Sequence, residues 1–331
     1  MSRLNEGDIR RQSEQAYGQW KDLWRKNTKE NAVYTMKSLD DFKYIGLGRA
    51  CVLVANGYSF EKDIQALKEN QHKVDIAVCD KTLGHCLDHG IKPTYCILAD
   101  ASVDYEKYME KWKDQLSDTV LFQNVCGNPK WAANGNWKDR YFFVNQDILK
   151  SELEFAEMSK CPNFIPAGTN VSNAMLVLMC QSNNQSRNNF FGYDKYLLTG
   201  FDYCWKDNYY AFNHDGNGKI NYMRHIYAMN DLNELCYTSN NLLFSVKWLE
   251  DYVRTFKLPV VQCSKGTIFR LGETQMKDLA EQMDYNYKAE DREHVKTFVE
   301  KINEYSAQIQ LFQKKLQDIA VAHHNAVIAS M

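Results

Sequence analysis

The sequence predicts an α/β protein: a mostly parallel sheet with helices on both faces, preceded by a helical arm and followed by a long helix. Three observations carry this. Short, nearly continuous apolar runs recur along the chain, as strands buried on both faces require. Amphipathic helical stretches separate them, at the spacing of βαβ units. Several of the runs stop at a polar or small residue beside a turn signal, where a strand hands over to a helix. The 331 residues, 44% hydrophobic and 25% charged, suffice for one large domain or two modest ones with a substantial core.

Taken in order, residues 1–45 are polar and helix-like, with Ala16, Trp20, Leu23 and Trp24 at helical spacing. They read as an arm that lays one aromatic face on the body. Strands are expected at 51–55, 74–79, 95–99, 119–123, 141–144, 196–199 and 259–263, with amphipathic helices such as 60–70 and 170–180 between them. These make a Rossmann-like α/β domain over residues 46–272. The segment 273–331 differs: Val295, Phe298, Ile302, Tyr305, Ile309, Phe312, Leu316 and Ile319 alternate at three and four residues, a heptad seam. Two readings stay open for it, pairing with a second copy in a homo-oligomer or packing along its own domain.

Composition narrows the function classes. The net charge of −2 gives no global attraction to nucleic acid or anionic lipid. Five prolines, sixteen glycines and no low-complexity tract argue against disorder or fibrous repeats. Neither a signal peptide nor a membrane-length apolar run is visible, so the expectation is a cytoplasmic protein without a membrane partner. The ten cysteines never form a CxxC pair and mostly sit in apolar runs, which predicts reduced core thiols and no zinc site. The eight histidines are scattered, and His323 and His324 read as solvated helix positions.

In an open parallel sheet, ligands bind outside the carboxyl ends of the strands, beside the point where strand order reverses. The residues after each apolar run are therefore the candidates. Asn56-Gly57-Tyr58-Ser59 follows the first: glycine lets backbone approach a ligand, Ser59 can cap the next helix, and that helix's free N–H groups suit a phosphate. Asp80 follows the second run and Asp100 the third. After Ile165 come Gly168, Thr169 and Asn170, another glycine turn opening a helix, and Gly200-Phe201-Asp202 follows 196–199. Singly, each looks like a helix cap; five polar strand ends on one sheet edge predict a nucleotide site. The pattern is neither GxGxxG nor GxxxxGK(S/T), which disfavours an ordinary dinucleotide fold or a P-loop kinase. Asp215-Gly216-Asn217-Gly218 lacks the later ligands of a calcium loop and reads as a turn.

The order VLVANGYS, AVCDKTLGHCLDHGIKPTYCILAD, PAGTNVSNAMLVL, LLTGFD and VVQCSKGTIFRLG resembles one family in particular. It includes the motor accessory factor flagellin glycosyltransferases and the archaeal 6-hydroxymethylpterin diphosphokinases, and HGIKPTYCILAD is an especially specific piece of the match. The layout is also similar to the Campylobacter-type sialyltransferases, whose Gly-Asn-Gly-Pro-Ser turn corresponds to Ala55–Ser59. Their Gly-x-Asp-Phe-Tyr…Tyr-Ala-Phe stretch corresponds to Gly200–Tyr203 and Tyr210–Phe212. The resemblance spans about residues 48–272 and implies the sialyltransferase-like variant of the GT-A fold. It implies that Asn56, Gly57 and Ser59 hold the phosphates and ribose of a donor, and that Gly168, Thr169 and Asn170 face the base. Asp80 and Asp100 stand where the sialyltransferases place nucleotide-contacting asparagines and match the accessory-factor branch instead. Tyr210 matches a tyrosine that steadies the leaving phosphate, whereas its companion is replaced by Cys204. The sialyltransferase base is a histidine, and Tyr237 aligns with it. A phenol is a poor base at neutral pH, so Asp100, Asp202 and His214 are the candidates; His214 equally suits an ordinary loop histidine.

The resulting expectation is a glycosyltransferase that moves a sugar from a nucleotide-sugar donor, CMP- or UDP-linked, to an acceptor hydroxyl, with no protein-bound metal. The alternatives are an ATP-dependent pterin diphosphokinase, in which Asp80 and Asp100 would hold Mg²⁺, and a non-catalytic nucleotide-binding or scaffold protein. Abundant Asn, Lys and Tyr indicate an AT-rich genome and fit a bacteriophage source, hence the host cytoplasm and hydroxymethylated DNA as an acceptor. The basic clusters Arg10-Arg11, Lys21, Arg25-Lys26 and Lys314-Lys315 would then contact phosphates; the other reading is solvated helix faces.

Overall fold

The computed structural model describes residues 6–147, 149–166, 169–180, 189–207, 210–213, 225–270, 278–283, 308–309, 311–315 and 317. The strands are β1 (Ala50–Val54), β2 (Asp75–Cys79), β3 (Tyr95–Leu98), β4 (Val120–Asn124), β5 (Asp139–Gln146), β6 (Phe164–Pro166), β7 (Lys195–Thr199), β8 (Ile226–Met229), β9 (Leu235–Thr238) and β10 (Val260–Gln262). The helices are α1 (Glu6–Asn31), α2 (Phe60–Asn70), α3 (Asp80–Asp88), α4 (Tyr105–Tyr108), α5 (Pro129–Asn134), α6 (Glu152–Ser159), α7 (Val171–Cys180), α8 (Asn240–Phe256) and α9 (Leu279–Met283).

Eight strands form one sheet in the order β10-β7-β1-β2-β3-β4-β5-β6, and every pairing in it is parallel. This is the Rossmann-like α/β architecture. The runs are apolar at most positions because both faces are covered, with Asp75, Gln123 and Thr199 as buried polar exceptions. Cys51, Leu53, Ala77, Ile97 and Phe122 join one core with α7 and α8. Their neighbours Val52, Val54, Ile76, Val78 and Leu121 join the other, with α2, α3 and α5. The expected strands are offset from the observed ones by a residue or two, except that the run 141–144 extends to Asp139–Gln146. The three-residue β6 is too short to show as a run. The β8–β9 hairpin was also unexpected, since Tyr227, Met229 and Leu235 are exposed and leave no core pattern.

Two expectations are corrected by packing. The helix at 171–180 is not amphipathic: Asn173–Cys180 are all buried, because α7 lies between the sheet and α8, to which Asn173 Nδ2 donates at the Ser245 carbonyl (3.0 Å). A helix enclosed on all sides needs apolar residues all round. The arm does contribute Trp24, edge-on to Phe155, but its deepest residues are polar. Asn27 donates to the carbonyls of Ala101 and Cys126, and Asn31 to those of Val125 and Gly127 (both 2.9 Å). These asparagines supply donors to carbonyls in the segments that follow β3 and β4.

All ten cysteines are buried and free of disulfides. Among the described residues no helix is long and apolar enough to cross a membrane. Of the basic clusters, Arg10 pairs with Glu14 and Arg25 with Glu154. Residues 1–285 form one compact unit and 286–331 a second. In the second, the described residues are helical and exposed, Ile309 and Phe312 included, and Lys314 and Lys315 as well. The other heptad positions lie outside the described residues, as do His323 and His324 and the turn at 215–218.

Candidate nucleotide site

Strand order reverses at β1. The chain runs outward through β2 to β6 on one side, then returns to lay β7 and β10 on the other. Loops leaving β1 and β7 diverge there and open a crevice at the carboxyl edge. The Asn56–Ser59 turn sits at this point, and most of it is a structural corner. Gly57 N–H donates to the Gly200 carbonyl (2.9 Å), and a Cβ on Gly57 would collide with that oxygen and lie 2.5 Å from Asp202 Oδ2. Glycine is therefore required by the approach of the β7 loop. Gly200 is constrained in turn, at φ +72° with the Ala55 carbonyl beneath it. Ser59 does not cap α2 with its side chain. Its hydroxyl donates to Asp202 Oδ1 (2.5 Å) and its N–H to Asp202 Oδ2 (2.8 Å), so one carboxylate fastens the turn to β7.

Asn56 behaves differently. Its carbonyl accepts from Ala211 N–H (3.0 Å), but its side-chain Oδ1 and Nδ2 are buried with no hydrogen-bond partner among the described residues. Asn56 belongs to the lining of a cavity of about 470 Å³ along the strand ends. β1 contributes Asn56, β2 leads into Asp80 and Lys81, β3 into Asp100, and β5 contributes Asn145. The N-terminus of α7 adds Thr169, Asn170 and Ser172, and the loop after β7 adds Asp202 and Tyr210. Asp80 Oδ2 and Asn145 Oδ1 are also buried and unpartnered among the described residues. Buried polar atoms are almost always satisfied, so four such atoms among the residues around one cavity are unusual.

The carboxyls differ in state. Asp80 is 1% exposed, and burial pushes it from 3.8 up to about 7, against the pull of Lys81 and its backbone N–H; the Asp100 charge adds to the rise. Burial also raises Asp202 to about 7, opposed by the two hydrogen bonds from Ser59. Asp100 lies exposed at the rim, where its Oδ1 accepts from Ser102 N–H and hydroxyl (2.8 and 2.9 Å). Lys81 is the one cationic side chain lining the cavity among the described residues. Its Nζ lies 5.0 Å from the centre of the Tyr210 ring and 5.5 Å from that of Tyr108. Asn170 caps α7, its Oδ1 accepting from Asn173 N–H and the Ser172 hydroxyl, while Thr169 Oγ1 accepts from Asn173 Nδ2.

The cavity thus gathers Asn56, Gly57, Asp80, Asp100, Thr169, Asn170, Asp202 and Tyr210 from the sequence candidates. Ser59 lies beneath it as the brace on Asp202, and Gly168 and His214 fall outside the described residues. Tyr237 is on β9, exchanging backbone hydrogen bonds with Trp205 (both 2.8 Å), and does not line the cavity. Sequence reasoning missed Asn145, which the same strand-end rule would have found had β5 been followed to Gln146. It also missed Lys81, whose only signal was its place directly after Asp80.

Comparison with known proteins adds a family and a fold. The profile of a family described as 6-hydroxymethylpterin diphosphokinase MptE-like matches residues 24–208, more than half of the chain. No curated protein sequence matches the chain. Among solved structures, the MAf glycosyltransferase from Magnetospirillum magneticum AMB-1 is similar over 83% of this chain, with a TM-score of 0.52 at 13% identity. The chain spans 42% of that protein's length, and the likeness is one of fold.

Proposed function

The chain belongs to the 6-hydroxymethylpterin diphosphokinase MptE-like family, and from that premise and its glycosyltransferase-like fold we propose that it transfers a sugar from a CMP- or UDP-linked donor to an acceptor hydroxyl. The observation that carries this reading is the set of unpartnered atoms of Asn56, Asp80 and Asn145 around a cavity at the switch point, a size and place suited to a nucleotide. The donor lies along the strand ends, with Asn56 hydrogen-bonded to it from the floor. The acceptor oxygen attacks the anomeric carbon, the bond from that carbon to phosphate breaks, and the electron pair leaves with the phosphate. The acceptor's proton passes to a carboxylate. Asp202 has both oxygens occupied by Ser59. Asp80 keeps Oδ2 free of partners and is tuned by burial to about 7, close to what a base needs at neutral pH.

A second reading has its own support. The family description names a diphosphokinase, and Asp80 and Asp100 follow adjacent strands into the same cavity. The unpartnered Asp80 Oδ2 fits a cation ligand. In that reading the two aspartates hold Mg²⁺, which would neutralise charge on the phosphates of ATP. Mass spectrometry after incubation with a panel of CMP- and UDP-sugars and acceptors, hydroxymethylated DNA among them, tests the first reading. Parallel reactions with ATP, Mg²⁺ and 6-hydroxymethylpterin test the second. A sugar adduct supports glycosyl transfer; a pterin diphosphate with no sugar adduct overturns it.

A further inference from the structure

The cavity is rich in carboxyls, yet the proposed donor is an anion, and the charges must be reconciled. Asp202 is engaged with Ser59 through both oxygens. Asp80, raised by burial to about 7, carries only part of its charge at neutral pH and is the group assigned to the acceptor's proton. Asp100 stands at the rim, turned to Ser102. What an anion entering the cavity meets is therefore Lys81, on the first turn of α3, where the helix end also favours negative charge. Lys81 is more than a solvated surface lysine. Its ammonium is flanked by the faces of Tyr210 and Tyr108, on different parts of the chain, which hold it at the cavity. The Tyr210 loop is itself fixed, through Ala211 N–H on the Asn56 carbonyl and the Phe212 ring against His85, His89 and Phe60.

We propose that Lys81 binds the phosphate of the donor and neutralises the phosphate oxygen that carries away the electron pair when the anomeric carbon–oxygen bond breaks. This rests on the nucleotide reading of the cavity given above. Tyr210 and Tyr108 are positioning residues for it. A lysine serves here as a point charge, and a strong hydrogen bond to a charged phosphate is typically worth a ten- to hundredfold change in affinity, roughly.

The test is calorimetric binding of CMP, UDP, ADP and ATP, and of the matching nucleosides, to the full chain and to Lys81→Met and Lys81→Arg. The expected result is that Lys81→Met weakens whichever nucleotide binds by roughly tenfold or more, with the nucleoside unchanged within about twofold and Lys81→Arg largely restoring the nucleotide. If the nucleoside binds too weakly to measure, a salt series decides: wild-type nucleotide affinity should fall with NaCl more steeply than that of Lys81→Met. Equal losses for nucleotide and nucleoside, an unchanged nucleotide affinity, or identical salt slopes would each overturn the assignment while leaving the nucleotide reading intact. If the wild-type chain binds no nucleotide at millimolar concentration, the nucleotide reading itself fails, and the role of Lys81 fails with it.

Discussion

Replacing Asp80 by asparagine should make the protein more stable, and increasingly so as pH rises. The folded chain holds this carboxyl buried at about 7, against 3.8 when exposed. Between those values the unfolded chain releases a proton that the folded chain keeps, so stability is lost as pH rises through that window and is fully lost above about 7. About three pH units at 1.36 kcal/mol each set a ceiling of roughly 4 kcal/mol, of which about 2–3 fall between pH 5 and pH 8.5. Asparagine keeps an acceptor for Lys81 N–H, which now bonds Asp80 Oδ1 (2.7 Å), and carries no charge to bury. Asp63 and Asp202, also raised by burial, titrate alike in both proteins and cancel in the difference. Urea unfolding of wild type and Asp80→Asn at half-unit steps from pH 5 to 8.5 is the assay. A difference constant to within about 0.5 kcal/mol, or drifting in the wild type's favour, would refute the reasoning. On the base assignment, the same variant should lose about a hundredfold or more in turnover.

Other substitutions separate the corner from the grip. Gly57→Ala should destabilise the fold by about 1–3 kcal/mol in urea melts, since its Cβ meets the Gly200 carbonyl and Asp202. Asn56→Ala should do the opposite, leaving stability equal or higher by about 1 kcal/mol, because it removes two unpartnered polar atoms, while nucleotide binding by calorimetry falls tenfold or more, roughly. Asn31→Ala should cost about 2–3 kcal/mol and raise hydrogen exchange in the segment 123–128, since it strips partners from the Val125 and Gly127 carbonyls and from Gln123 Nε2.

The residues themselves determined much of this protein. A strand covered on both faces must be largely apolar, so β1, β2, β3, β4 and β7 could be read directly, and with them the polar strand ends Asn56, Asp80, Asp100 and Asp202. What periodicity reports is burial, and it is silent about neighbours. That β7 lies against β1, so that Asp202 reaches Ser59 across 143 residues of chain, is decided by strand order alone. That pairing makes Gly57 and Ser59 parts of a structural corner, with Asn56 and Gly57 in the cavity lining and Ser59 beneath it. The same holds for Lys81, whose place beside Tyr210 depends on how two distant segments dock, and for Asn27 and Asn31, polar residues buried because carbonyls at the end of β4 need donors. Apolar runs write themselves into sequence because each residue is buried by the bulk of the core; polar partners do not, because each is fixed by one specific atom elsewhere in the chain.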